Sequence, residues 1–209
     1  MKHRKHLFPG LLALCALPAA QGATLLTENF NELTPVLTAT SVGAFSAING
    51  TNVDIVGGGL FGSLCVAPEA GNCIDMDGSG GNSQGVLRSN TAFTLQPGVN
   101  YYLSYDLTGS QRGNTASTTV SFGPYSKTFA LASGDDTSGI VSDALITVSK
   151  TTTAFLSFSS NTPGDVGNLL DNVVITSSSP VTGAPEPATL ALLALGFAGV
   201  GLTRRKRRG

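Results

Sequence analysis

In the run NYYLSYDLT, Tyr101, Leu103, Tyr105 and Leu107 alternate with Tyr102, Ser104, Asp106 and Thr108. A period of two sends these sets to opposite faces of a strand, so one face belongs to a core. Similar runs recur along the chain: ATLLTENF, NVDIV, TAFTL, STTVSF, YSKTFAL, SDALITVS, TAFLSFS and DNVVITS. Each is short, rich in Thr, Val, Phe or Tyr, and bounded by Gly, Asn, Asp or Pro. No long amphipathic helix appears before Ala188. The spacing predicts an all-β fold, a two-sheet antiparallel sandwich, occupying a single domain over residues 23–175. Residues 57–90, dense in Gly, Asn and Ser, read as one long connection pinned by the Cys65–Cys73 pair and by DMDGSGG.

The two ends read as address labels rather than fold. Lys2, Arg4 and Lys5 precede a short apolar stretch, and Ala20 and Gly22 offer the small residues a signal peptidase prefers. The expectation is a signal peptide over residues 1–22. Cys15 follows Leu14, where lipoprotein processing wants a small residue, so it is not an acylation site. At the other end, TSSSPVTGA, residues 176–184, reads as a linker. Ala188 to Leu202 carry no charge. A helix of that length spans about 22 Å, at roughly 1.5 Å per residue, against a hydrocarbon core of about 30 Å. A single hydrophobic helix over 188–203 therefore engages the inner membrane without anchoring durably. Arg204, Arg205, Lys206, Arg207 and Arg208 stay cytoplasmic by the positive-inside rule, and the domain lies outside.

Pro185-Glu186-Pro187, the apolar segment and the terminal basic cluster resemble, in this order and position, the PEP-CTERM sorting signal over residues 185–209. The resemblance implies recognition by an exosortase, a membrane protease-transpeptidase. It also implies release or transfer to the envelope or extracellular surface, often in bacteria that make exopolysaccharide. The stretches CIDMDGSGGNSQGVLRSNTAFTLQPGVNYYLSYDLTGSQRG and LSFSSNTPGDVGNLLDNVVI are similar to secreted proteins with a carbohydrate-binding-module-like domain. That similarity implies a galactose-binding-like jelly roll, frequently with one structural calcium ion, and no particular substrate.

Setting the ends aside changes the charge. The whole chain has net charge −1, but residues 23–184 hold four basic residues (Arg88, Arg112, Lys127, Lys150) against twelve acidic ones, a net −8. Such a domain repels phosphate backbones, which argues against nucleic acid as a partner. His3 and His6 both lie in the signal segment, and the chain has no Trp. Histidine-dependent triads and histidine-ligated zinc sites are thereby excluded from the domain, whereas two-carboxylate glycosidase chemistry is not. Cys65 and Cys73 read as a disulfide, as expected of two cysteines in an oxidising compartment.

Two constellations suit calcium. In DMDGSG, Asp75, Asp77 and Ser79 alternate as oxygen ligands do in a calcium loop, with Gly80 at the turn. The twelfth position, however, is Val86 rather than a bidentate Glu, and the same carboxylates serve equally as turn formers. The other set pairs Glu28 or Glu32, near the first strand, with Asp171 near the last. For a glycan, Tyr102 and Tyr125 are the stacking candidates, set against their ordinary use as strand packing partners.

These features describe an exported, non-enzymatic jelly-roll protein that associates with exopolysaccharide or other surface material. A matrix protein without a specific ligand is the second reading, and a carboxylate-dependent glycan hydrolase the third. Glycan-array binding separates the first two; released sugar marks the third.

Overall fold

The computed structural model describes residues 22–65, 71–80, 84–135 and 144–178. The signal segment up to residue 21, the sorting motif, the helix expected over 188–203 and the basic cluster Arg204–Arg208 lie outside the described residues. Among the described residues no helix is long and apolar enough to cross a membrane.

The strands are β1 (Ala23–Glu28), β2 (Val36–Ala39), β3 (Ser41–Val42), β4 (Phe45–Ala47), β5 (Val53–Val56), β6 (Cys73–Asp75), β7 (Val86–Ser89), β8 (Phe93–Leu95), β9 (Tyr101–Thr108), β10 (Thr115–Phe122), β11 (Tyr125–Ala132), β12 (Ala144–Ile146), β13 (Thr152–Ala154), β14 (Leu156–Ser160) and β15 (Leu169–Ser177). They form a seven-stranded sheet in the order β12-β9-β15-β6-β5-β2, with β1 also on β15, and a six-stranded sheet in the order β11-β10-β14-β7-β4-β3. Strands β8 and β13 make a separate pair. The pairings are antiparallel, and the fold is the expected all-β jelly-roll sandwich.

The runs that become β9, β10 and β14 place their apolar half inside. Leu103 and Leu107 of β9, Val120 and Phe122 of β10, and Leu156 and Phe158 of β14 are fully buried in one core. Tyr105 joins the layers: its ring meets Phe158 edge-on at 5.3 Å and Phe129 at 6.1 Å. Edge-to-face pairs of this kind add about 0.5–1.5 kcal/mol each beyond their buried area. Lys127 lies over the Phe129 ring at 4.7 Å.

The reading of residues 57–90 as one connection is corrected. A 3-10 turn at Gly62–Leu64, then β6 and β7, divide it. The short strands β2, β3 and β4 were likewise not marked by any run. All of Cys73–Asp75 is buried, so β6 shows no apolar–polar alternation to read, whereas β5 is the run NVDIV. The closing strand β15 runs to Ser177, two residues into the stretch read as linker.

Candidate functional site

The open part of the seven-stranded sheet's outer face lies on β12, β9, β15 and β1. The inward set of β9 leaves Tyr102, Ser104 and Asp106 half-buried on the outside. Register builds rows from these residues. Tyr102 stands between Leu145 of β12 and Thr176 of β15, and Thr176 opposes Thr24 of β1. Leu145, the cross-strand partner of Tyr102, is 57% exposed. The next row runs Ser104, Val174, Thr27.

A bulge makes the third row. The β9–β15 register shifts between Asp171 and Val174, and Asn172 takes the left-handed conformation at φ 48. Asparagine tolerates that region better than any branched residue. The extra residue re-aims the Asn172 side chain, whose Nδ2 donates to Asp106 Oδ2 at 2.8 Å. The face thus carries an apolar platform, Tyr102 with Leu145, within two rows of a joined carboxylate and amide. A platform stacks on the apolar face of a sugar ring, and a fixed carboxylate–amide pair offers acceptor and donor to neighbouring hydroxyls.

The other expected residues divide between structural ties and separate places. Cys65 and Cys73 form the predicted disulfide, Cα–Cα 5.7 Å. It holds the loop after β5, where Gly58, Gly62, Cys65, Gly71 and Asn72 line a cavity of about 420 Å³. Glu28 accepts from the Phe30 amide at 3.0 Å and the Ala44 amide at 2.8 Å, so it fastens the chain around Gly43. That glycine has φ +55, and a Cβ there would strike the Glu28 carboxylate. Glu32 is exposed in a turn. Strands β1 and β15 do lie side by side, but Glu28 is opposite Val173 rather than Asp171. Asp171, 4% exposed, faces Asp106 across the β9–β15 pair. Tyr125 sits at the core margin with its hydroxyl 3.3 Å from that of Tyr105, on a different sheet from Tyr102, so the two tyrosines do not share a site. Burial, then the neighbouring Tyr125, pushes the Tyr105 hydroxyl well above its ordinary range.

The alternating residues of DMDGSG go three ways. Asp75 takes the amides of Gly167 (2.9 Å) and Asp77 (3.2 Å) and forms an ion pair with Arg112. Burial nevertheless raises its carboxyl to about 7, against the pull of Arg112 and the two amides. Ser79 turns to β5 instead, where its amide and hydroxyl both donate to Asp54, the hydroxyl at 2.6 Å. The same Asp54 accepts from the Thr38 amide at 2.7 Å. Asp77 points into the sandwich. Among the described residues, no group of three or more His, Cys, Asp or Glu side chains is placed to hold a metal ion. Arg112, Asp106, Asn172 and Leu145 were not singled out in the sequence. Only the left-handed tolerance of Asn172 gave a local signal.

The model of the PEP-CTERM protein-sorting motif matches residues 184–208. No curated protein matches the chain. Among solved structures, the CBM22-1 xylan-binding domain of Paenibacillus barcinonensis Xyn10C is 12% identical, with TM-score 0.45, over 77% of this chain and 98% of that one. The K1 cleaved adhesin domain of Lys-gingipain from Porphyromonas gingivalis W83 is 15% identical, with TM-score 0.41, over 74% and 98%. The CBM22-1–GH10 modules of Clostridium thermocellum xylanase 10B, complexed with xylohexaose, are 13% identical, with TM-score 0.35, over 73% of this chain and 28% of that one. The chain is an all-β sandwich carrying a PEP-CTERM protein-sorting motif, which marks it for export.

Proposed function

We propose that this is a non-catalytic surface or matrix protein, processed by an exosortase, whose seven-stranded sheet contacts a neutral exopolysaccharide. The observation that carries the reading is the outer row of Tyr102 and exposed Leu145 beside the hydrogen-bonded Asp106–Asn172 pair. The net charge of −8 over residues 23–184 disfavours uronic-acid or sulfated chains, which leaves uncharged sugars as the matching class. Asp54, Asp75 and Glu28 serve as loop ties, bonded to backbone amides, a serine and an arginine. These are structural uses, in keeping with a binding module rather than a hydrolase.

Affinity electrophoresis through gels containing the producing cell's exopolysaccharide tests the reading. Tyr102→Ala should weaken retardation about tenfold, equivalent to about 1.4 kcal/mol. Thr119→Ala, on the outer face of the six-stranded sheet, should leave it unchanged. Equal retardation of the wild type and the Tyr102 variant would remove this face from consideration.

A further inference from the structure

Two polar side chains inside the sandwich present oxygens without a hydrogen bond of ordinary geometry. Asp77 and Asn168 are both fully excluded from solvent. Neither carboxylate oxygen of Asp77, nor the amide oxygen of Asn168, accepts a hydrogen bond of ordinary geometry. A buried unpaired polar group costs about 1–3 kcal/mol, and a charged one more. These oxygens are acceptors only, so what would satisfy them is positive charge or a donor.

The backbone brings the two residues together. Met76 N donates to the Asn168 carbonyl at 3.0 Å. Gly167 packs so closely that a Cβ there would lie 2.5 Å from the Asp77 nitrogen. Asn168 Nδ2 donates to Thr118 Oγ1 at 3.0 Å, which fixes the amide and turns its oxygen away from Thr118. The Asp77 carboxylate lies toward Ser160, whose hydroxyl, with the Gly85 amide, favours the charged form without completing a standard hydrogen bond. Thr118 and Ser160 are direct cross-strand partners on β10 and β14, so the side chains that approach them are neighbours. Of the charged groups that act on Asp77, Arg112 is engaged by Asp75 and Asp165 is repulsive. Burial raises the Asp77 carboxyl to about 6.

We propose that Asp77 and Asn168, with the Ser160 hydroxyl, hold a hard divalent cation of the calcium class between the two sheets. Calcium takes carboxylate and amide oxygens, accepts a bidentate carboxylate and tolerates irregular geometry. It would join the end of β6 and the approach to β15 to β14 of the opposite sheet, acting as a cross-sheet tie. The site is separate from the Glu28–Asp171 pair, where both Glu28 oxygens already meet backbone amides. It also stands independently of the glycan-binding reading.

The test uses the full chain stripped with EDTA, with equilibrium dialysis against radioactive calcium and thermal unfolding in calcium, magnesium or EDTA. A single bound calcium ion and a midpoint raised by about 5 °C in millimolar calcium are expected. Asp77→Asn should abolish both responses, whereas Glu28→Gln should keep them. Asn168→Asp, which adds a second carboxylate, should tighten calcium binding at least about tenfold and decides the matter if Asp77→Asn does not fold. A wild-type midpoint indifferent to calcium, a calcium response that survives Asp77→Asn, or an Asn168→Asp variant of unchanged affinity would each overturn the proposal.

Discussion

Removing Arg112 should destabilise the sandwich by about 1 kcal/mol more at pH 8 than at pH 5. Asp75 is 1% exposed, while the Arg112 side chain that pairs with it is 29% exposed. Even with that partner and two backbone amides, burial holds the Asp75 carboxyl at about 7 instead of its ordinary 3.8. Between those values the folded chain keeps a proton that the unfolded chain releases. Stability therefore falls as pH rises. This contribution is fully present below 3.8 and is lost as pH climbs through about 7. Three pH units at about 1.4 kcal/mol each give a decline of about 4 kcal/mol from this group.

Arg112→Ala takes away the guanidinium that lowers the value, so the decline continues into the alkaline range. At pH 5 the folded carboxyl is protonated with or without Arg112. The substitution then costs little beyond the contact of Arg112 Nη1 with the Asp165 carbonyl, about 1 kcal/mol. At pH 8, one unit above the wild-type value, the folded carboxyl without Arg112 keeps its proton, so the further loss is at most about 1.4 kcal/mol. Urea unfolding at both pH values, in EDTA to keep any cation at Asp77 out of the comparison, measures the difference. Wild type, Arg112→Ala and the double variant Asp75→Asn/Arg112→Ala are needed. The gap between wild type and Arg112→Ala should widen by about 1 kcal/mol from pH 5 to pH 8, and Asp75→Asn should close most of that widening. A loss of equal size at both pH values, or no recovery in the double variant, would refute the linkage.

Reducing Cys65–Cys73, which closes a loop with sequence separation 8, should lower stability by roughly 2.5 kcal/mol on the chain-entropy model. Unfolding with and without reductant measures this, and two free thiols in the native exported protein would contradict the pairing. Replacing Pro185, Glu186 and Pro187 together by Ala should stop tail processing and surface delivery while leaving the sandwich folded. Fractionation with a C-terminal epitope tag reads this out: a variant that still loses its tail and reaches the surface as efficiently as wild type would sink the sorting role.

Strands that bury one face are legible in this sequence. The alternation in NYYLSYDLT and STTVSF returns as β9 and β10, with the apolar half of each in the core. Strand β6 is illegible for the opposite reason: it is buried on both faces, and one of its three residues is an aspartate whose burial depends on Arg112, distant in sequence. The alternating residues of DMDGSG separate in the fold for a related reason. Alternate residues share a face only while a strand continues, and β6 stops at Asp75. Beyond it Asp75 turns to Arg112, Asp77 goes inward beside Asn168, and Ser79 crosses to Asp54. Tyr102 could be placed on an outer face from its neighbours alone. Its companions could not, because Leu145 arrives by strand pairing and Asn172 reaches Asp106 only through the bulge. Local pattern thus predicts which way a side chain faces, whereas the pairing register decides what it meets there. A face spread over four strands is therefore mostly invisible until the strands are ordered.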